Sequence, residues 1–302
     1  MEKLTLHNAF KEARSIAEST SPKATFILDR VVSKDKREYL NLSYAYFRLV
    51  DDFVDDPKTS VAEKREFIER QKSFVKSCWN NSAVEPQTKE EYFVYYFIEY
   101  SLQNNLEKLI ESIYGMVDSI SWDVDRLLSD GVFSEEQLYN YGSMQSESVQ
   151  NILYYFMSGN DPKEYKHDNL DLSITNTRML MLRDLEEDID AGFINISRED
   201  VEKYGLNIRD LKKDENLNLW IKDQVQKLLQ TLDNEVLKLK NIAPKGRIFH
   251  YYICTYYLPK IIRYRVYGYY IGSSNKRTFA KEFRTYWQSF LISLKLLKRI
   301  YI

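Results

Sequence analysis

The sequence predicts an all-α protein, and three observations carry that reading. Apolar residues recur at helical spacing along almost the whole chain. Only 9 glycines and 6 prolines punctuate 302 residues, whereas a sheet protein needs turn residues every roughly 8 to 12 positions. The periodic stretches are long, and short polar breaks such as "NNSAVEPQTKE" at 80–90 separate them.

The elements follow in order. From Arg37 to Asp55, Leu40, Tyr44, Phe47 and Val54 mark an apolar face, and Pro57 ends that helix. Ser60 caps a second helix through "VAEKREFIERQKSFVKSCW". Two more fit residues 89–103 and 105–129. Ser134, with Glu136 and Gln137 in the first turn, opens another that reaches about Ser158. "GNDPKEYKHDN" breaks the pattern, and one long helix is expected from Leu170 to Asp190, closed by Gly192. "FINISREDVEKYGL" reads as an irregular segment around a short helical turn. Helices over 214–241, 247–272 and from Lys276 to the end complete the chain. No internal repeat or linker is visible, so a single domain over 1–302 is expected.

Composition narrows the class. With 43 basic and 45 acidic residues the net charge is -2, which argues against a nucleic-acid partner. Cys78 and Cys254 are too few for a disulfide framework and read as buried thiols, implying a reducing, cytoplasmic setting. "MEKLTLHNAFKEARSIAEST" lacks the apolar core of a signal peptide. No run approaches the roughly 18 apolar residues of a membrane span, so a soluble or at most peripheral protein is expected. His7, His167 and His250 are isolated and receive no catalytic role.

Two acidic clusters ask for an explanation. "YAYFRLVDDFVDDP" carries Asp51, Asp52, Asp55 and Asp56, and "MLRDLEEDIDAG" carries Asp184, Glu186, Glu187, Asp188 and Asp190. Asp51 with Asp55, and Asp184 with Asp188, stand at i and i+4, which stacks two carboxylates on one helical face. Unneutralised, such pairs cost a helix a few tenths of a kcal/mol. Near a helix C-terminus, where both clusters are expected, the macrodipole opposes them further. A divalent cation resolves the repulsion, and hard carboxylate oxygens suit Mg²⁺ bridged to substrate phosphates. Arg48 and Arg183 precede the clusters and suit a diphosphate. Spacing alone leaves solvated acidic helix ends as the other reading.

Beyond spacing, the chain resembles the squalene/phytoene synthase family, whose members join two prenyl diphosphates head to head. "YAYFRLVDDFVDD" is similar to its aromatic-Ala-x-x-Arg run followed by Asp-Asp-x-x-Asp, and "LRDLEEDIDAG" to its Leu-Arg-Asp-x-x-Glu-Asp. "LYNYGSMQSESV" lies between them in the place of the family's tyrosine-bearing segment, and "KATF" at 23–26 echoes its early Ser-Phe. The resemblance implies a single isoprenoid-synthase helical bundle with a central cavity flanked by two acidic helix motifs. It implies two or three Mg²⁺ ions on Asp51 and Asp55 and, from a facing helix, Asp184 and Asp188. Lys23, Tyr44, Arg48 and Arg183 would hold the substrate diphosphate, Asp52 would support the metal ligands, and Tyr141 would stand near the reacting carbons. The implied product is a linear C30 or C40 isoprenoid made through a cyclopropyl diphosphate; whether NADPH takes part is not legible.

Three departures from the family pattern bear on substrate. Leu180 stands where the family usually has a metal-binding Asn, and Gln145, Ser146, Glu147, Ser148, Val149 and Gln150 replace a small apolar run. Gly192, Phe193, Ile194 and Asn195 replace a Gly-Arg-Ile-Tyr stretch. These changes favour an alternative, a terpene synthase that ionises one prenyl diphosphate and cyclises or quenches it. A non-catalytic interaction protein is the third reading, opposed by the four intact aspartates. The dense aromatic patch "FHYYICTYYLPKIIRYRVYGYY" suits either ordinary core or a cation-stabilising wall. The C-terminal "FAKEFRTYWQSFLISLKLLKRIYI" reads as an amphipathic helix packed on the bundle or as an interfacial helix touching anionic membrane.

Overall fold

The computed structural model describes residues 3–160, 162, 170–241, 251, 255, 258–269 and 278–301. Among them the regular structure is helical; an isolated bridge between Val132 and Ile194 is the one β pairing. The chain forms two compact units, 1–128 with 147–166, and 129–146 with 167–302.

The first unit is organised around a central helix. It contains α1 (Leu6–Thr20), α2 (Pro22–Val31), α3 (Lys34–Asp55), α4 (Val61–Trp79), α5 (Lys89–Gln103), α6 (Glu107–Arg126) and residues from Glu147 onward of α7 (Glu135–Ser158). Helix α3 packs on α1, α5 and α6. Ala9, Ala13 and Ala17 repeat every four residues on α1 and are all buried, so small side chains let the α1 backbone approach its neighbours closely. The buried face of α3 is Leu42, Ala45, Tyr46, Val50 and Val54, while the expected face residues Tyr44 and Phe47 are only half-buried. Arg14 of α1 grips Asp29 of α2 with two bonds of 2.6 and 2.7 Å, and Arg37 of α3 adds a contact at 3.2 Å. Helices α1 and α2 were not foreseen; the buried stripe of α1 is alanine, and α2 is only ten residues long with Thr25 its one buried residue.

Sequence caps act where expected. Ser60 and Glu63 form a reciprocal capping box at the start of α4. Ser134 and Gln137 do the same before α7, with bonds of 2.8 and 3.1 Å. At α5 the Glu91 carboxylate, 1% exposed, accepts from the Gln87 and Thr88 backbone N–H groups and from Arg70 Nε of α4.

The second unit holds residues up to Ser146 of α7, then α8 (Leu170–Arg183), α9 (Leu185–Ala191), α10 (Arg198–Tyr204) and a 3₁₀ turn at Ile208–Lys213. There follow α11 (Asn216–Glu235), which tightens to 3₁₀ over Val236–Asn241, then α12 (Leu258–Tyr267) and α13 (Phe279–Tyr301). Met179, Leu182, Leu185, Ile221, Val225 and Ile261 form the centre of its core.

Two expectations need correction. The long helix from Leu170 to Asp190 is broken: Asp184 adopts φ -98° and ψ 6°, and α9 begins after it. Asp184 therefore stands between the end of α8 and the start of α9, Glu186, Glu187 and Asp188 lie in the first turn of α9, where the macrodipole favours acids, and Asp190 lies near its end. The helix expected over 214–241 is α-helical only to Glu235. Gly192 closes α9 in the left-handed conformation at φ 89°, as expected of a C-terminal glycine. Parts of the expected 247–272 helix and of the aromatic patch, with Cys254, His167 and His250, lie outside the described residues. Cys78 is buried, which pushes its thiol up to about 12.

Glu91→Ala removes the cap of α5 and the partner of Arg70, leaving two backbone donors without an acceptor. The expected loss is about 2 kcal/mol, read as a lower urea midpoint; an unchanged midpoint would show that water replaces the carboxylate fully.

Candidate active site

The last two turns of α3 carry the first cluster. Val50 and Val54, 0% and 1% exposed, fix this end of the helix in the core, so the neighbouring Asp51 and Asp55 are held one turn apart. Arg48 reaches forward along the same helix, with Nη1 3.5 Å from Asp51 and Nη2 in close contact with Asp52. Its buried Nε makes no hydrogen bond. Asp123 of α6, buried and paired with Arg126 at 2.7 Å, adds a third negative charge to the field of Asp51 and Asp55.

One arginine does not balance this charge. Burial, and then the charge of Asp55, pushes the Asp51 carboxyl up to about 7. Burial and then Asp123 push Asp55 up to about 6. Asp51 nevertheless keeps 44% of its side chain open, so the effect is crowding by protein without loss of access. The group is accessible and short of positive charge. Tyr44, also on α3, is held by the hydroxyls of Thr20 and Ser21 at 2.9 and 2.8 Å. Lys23 is exposed in the first turn of α2.

The second cluster is built differently. Asp184, at the break between α8 and α9, has both oxygens on the guanidinium of Arg183. Asp188 sits one hydrogen-bonded turn on, its N–H donating to the Asp184 carbonyl at 2.8 Å, and accepts from Asn195 Nδ2 at 2.7 Å. Lys212, from the 3₁₀ turn, bonds Asp190 at 2.5 Å and lies 3.7 Å from Glu186. The Asp190 carboxylate raises the Lys212 ammonium above its ordinary value. Tyr264 of α12 donates to the Leu182 carbonyl at 3.0 Å; burial and then the Glu186 and Asp184 charges raise its phenol.

Among the described residues no three His, Cys, Asp or Glu side chains could hold a metal ion unaided. The donors themselves fit Mg²⁺, which takes one or two carboxylates and completes its shell with water and phosphate oxygens. Asp51 and Asp55 offer such a pair already strained by repulsion. Asp184 has both oxygens taken by Arg183, and half-buried Leu180 has no ligating atom to offer.

The remaining predicted residue, Tyr141, is 7% exposed on α7 and accepts from Gln145 Nε2 at 2.8 Å. The polar run after it is satisfied by neighbours. Ser146 bonds Thr177 of α8 at 3.0 Å. Glu147, 40% exposed, pairs with Lys108 of α6 at 3.1 Å, so its charge is not buried alone.

Sequence reasoning missed Asp123, Asn195 and Tyr264. Asp123 sits in "SWDVDR", an unremarkable helical stretch, and only the packing of α6 on α3 brings its charge to the pair. Asn195 counted as a loss of family side chains, yet its amide holds Asp188. Tyr264 was one tyrosine among many in the aromatic patch.

The structure resembles those of known isoprenoid enzymes. A squalene synthase, HpnC from Alicyclobacillus acidocaldarius, superposes with a TM-score of 0.68 at 16% identity, covering 88% of this chain and 97% of that one. TcSQS, solved with the ligand E5700, gives 0.65 at 15% identity over 97% of this chain and 90% of that one. These likenesses establish the isoprenoid-synthase fold. The squalene/phytoene synthase family model matches residues 23–267. The chain belongs to the squalene/phytoene synthase family of prenyltransferases. No curated protein matches it in sequence.

The raised carboxyls give a stability prediction with a definite sign. An acid whose folded pKa exceeds its unfolded value near 3.8 leaves stability intact at low pH and removes it as pH rises through the folded value, here about 6 to 7. Without metal, Asp55→Asn should melt higher than the wild type at pH 8, and the difference should vanish near pH 4. An equal melting temperature at pH 8 would refute the crowding.

Proposed function

We propose that the protein is a Mg²⁺-dependent enzyme that condenses two prenyl diphosphates, farnesyl or geranylgeranyl, head to head to a linear C30 or C40 isoprenoid. The observation that carries this reading is the α3 pair, Asp51 and Asp55 one turn apart with Arg48 behind them, inside the span that matches the family. In this proposal the chain from 1 to 302 acts as one catalytic domain.

Bound Mg²⁺ would supply Lewis-acid neutralisation of the departing diphosphate. The chain supplies the rest. Asp51, Asp55, Asp184 and Asp188 present hard oxygens. Arg48, beside Asp51 and Asp52, and Arg183, on Asp184, would supply guanidinium donors to diphosphate oxygens. Lys23 and Tyr44 complete the anion contacts. Asp52 keeps Arg48 aligned. The Tyr141 hydroxyl, oriented by Gln145, lies on an otherwise buried ring suited to a carbocation and its leaving group. NADPH use is decided by the product.

A second reading rests on Leu180 and on the polar α7 run. Leucine in place of an amide removes a ligand, and buried Ser148 and Gln150 narrow the room for a long apolar tail. Both changes favour ionisation and cyclisation of one prenyl diphosphate.

Incubation with C10, C15 and C20 prenyl diphosphates and Mg²⁺, with and without NADPH, followed by gas chromatography with mass detection, separates the readings. A C30 or C40 hydrocarbon supports coupling; a product no longer than its substrate supports the single-substrate enzyme. Asp51→Asn should lower turnover at least about 10³-fold, roughly 4 kcal/mol of barrier, with an unchanged circular dichroism spectrum. An active Asp51→Asn enzyme would overturn the metal assignment.

A further inference from the structure

Helix α13 reverses the arrangement of an ordinary surface helix. Its inward face carries Thr285 and Ser289, 0% and 4% exposed, with Leu296 at 1%. Both hydroxyls are satisfied within the helix, donating to the carbonyls of Lys281 and Thr285 at 2.9 and 2.8 Å. Outward it presents Phe279 at 88% exposure, Phe283 at 61%, Trp287 and Phe290 at 51%, Leu291 and Leu294. At 100° per residue these six lie within an arc of about 120°. Stacking joins the rings into a ladder: Phe279 to Phe283 at 6.5 Å, Phe283 to Trp287 at 6.3 Å and 7°, Trp287 to Phe290 at 5.9 Å. A contiguous patch of this kind is a contact surface.

Its charges identify what it contacts. The helix bears Lys281, Arg284, Lys295, Lys298 and Arg299 against one acid, Glu282, in a chain whose net charge is -2. Glu282 is taken by Arg263 at 3.0 Å, and Lys295 and Arg299 share Asp233. Both Arg284, just beyond the edge of the apolar arc, and Lys298, within it one turn past Leu294, are exposed. A second copy docking through this face would bring two basic edges together. An anionic bilayer instead meets the rings with hydrocarbon and the edge with phosphate, and Trp and Tyr are the rings suited to that boundary. No described helix is long and apolar enough to cross a membrane, so α13 would lie in the plane, about 34 Å of helix.

We propose that α13 docks the protein on anionic bilayer surfaces, its aromatic ladder entering the headgroup layer and Arg284 and Lys298 pairing with lipid phosphate. The proposal rests on this helix alone and stands apart from the reaction catalysed. The test is cosedimentation of the full chain with phosphatidylcholine vesicles, alone or with about one-third phosphatidylglycerol. Binding to the anionic vesicles should be at least ten-fold tighter and should fall when salt rises from about 0.05 to 0.5 M. Phe283→Gln with Trp287→Gln should lose binding at least ten-fold, and Arg284→Gln with Lys298→Gln should shrink the preference for anionic lipid. Each altered side chain is solvent-exposed; unchanged circular dichroism would establish folding, and the salt series needs no variant. Wild-type protein that ignores both vesicle types, or variants that bind as the wild type does, overturns the proposal. So does a wild-type dimer in sedimentation equilibrium that the ring variant converts to monomer, since a second copy would then cover the face.

Discussion

Electrostatic crowding at the end of α3 is the constraint around which the first unit is arranged. Asp51, Asp55 and Asp123 share surroundings that raise the cost of each charge, and Arg48 compensates only part of it. A chain selected for stability alone would not keep three acids there, because apolar or neutral residues at these positions would avoid the repulsion. Val50 and Val54 anchor the helix end in the core and prevent it from relaxing the strain by fraying. The folding energy of the apolar face thus holds an electrostatic arrangement that is unfavourable on its own.

The two acidic clusters differ in kind. In the second, cations or donors sit on individual carboxylates: Arg183 on Asp184, the neutral Asn195 amide on Asp188, Lys212 on Asp190. Such exposed pairs contribute little to stability, typically below about 1 kcal/mol each. They do fix the carboxylates in place. The break at Asp184 serves the same end, since it starts a new helix whose amino-terminal dipole accepts the acids. One cluster is left in repulsion and the other is held by its partners.

Much of this was legible in the sequence. The Ser60 and Ser134 caps, the Gly192 terminus and the span of α3 follow from local rules, because each depends on residues within one or two turns. The acidic pairs and their arginines were visible for the same reason. What escaped depended on distant packing. No local signal distinguishes Asp123 from other acids on α6, and none reveals that Asn195 would orient Asp188. The interruption at Asp184 was hidden by helix-favouring residues on both sides of it. Helix α1 escaped because an alanine stripe carries little apolar contrast, and α2 because it is short and buries little.

Helix α1 has a consequence for how the family core is delimited. The match to the family begins at residue 23, yet the hydroxyls that hold Tyr44 belong to Thr20 and Ser21, just outside it. The alanines of α1 let it sit close enough for that tether to be short. A side chain inside the matched span is therefore oriented by residues that precede it. A splice at residue 23 would carry Tyr44 away from the hydroxyls that hold it, so the matched span and the mechanical unit have different edges.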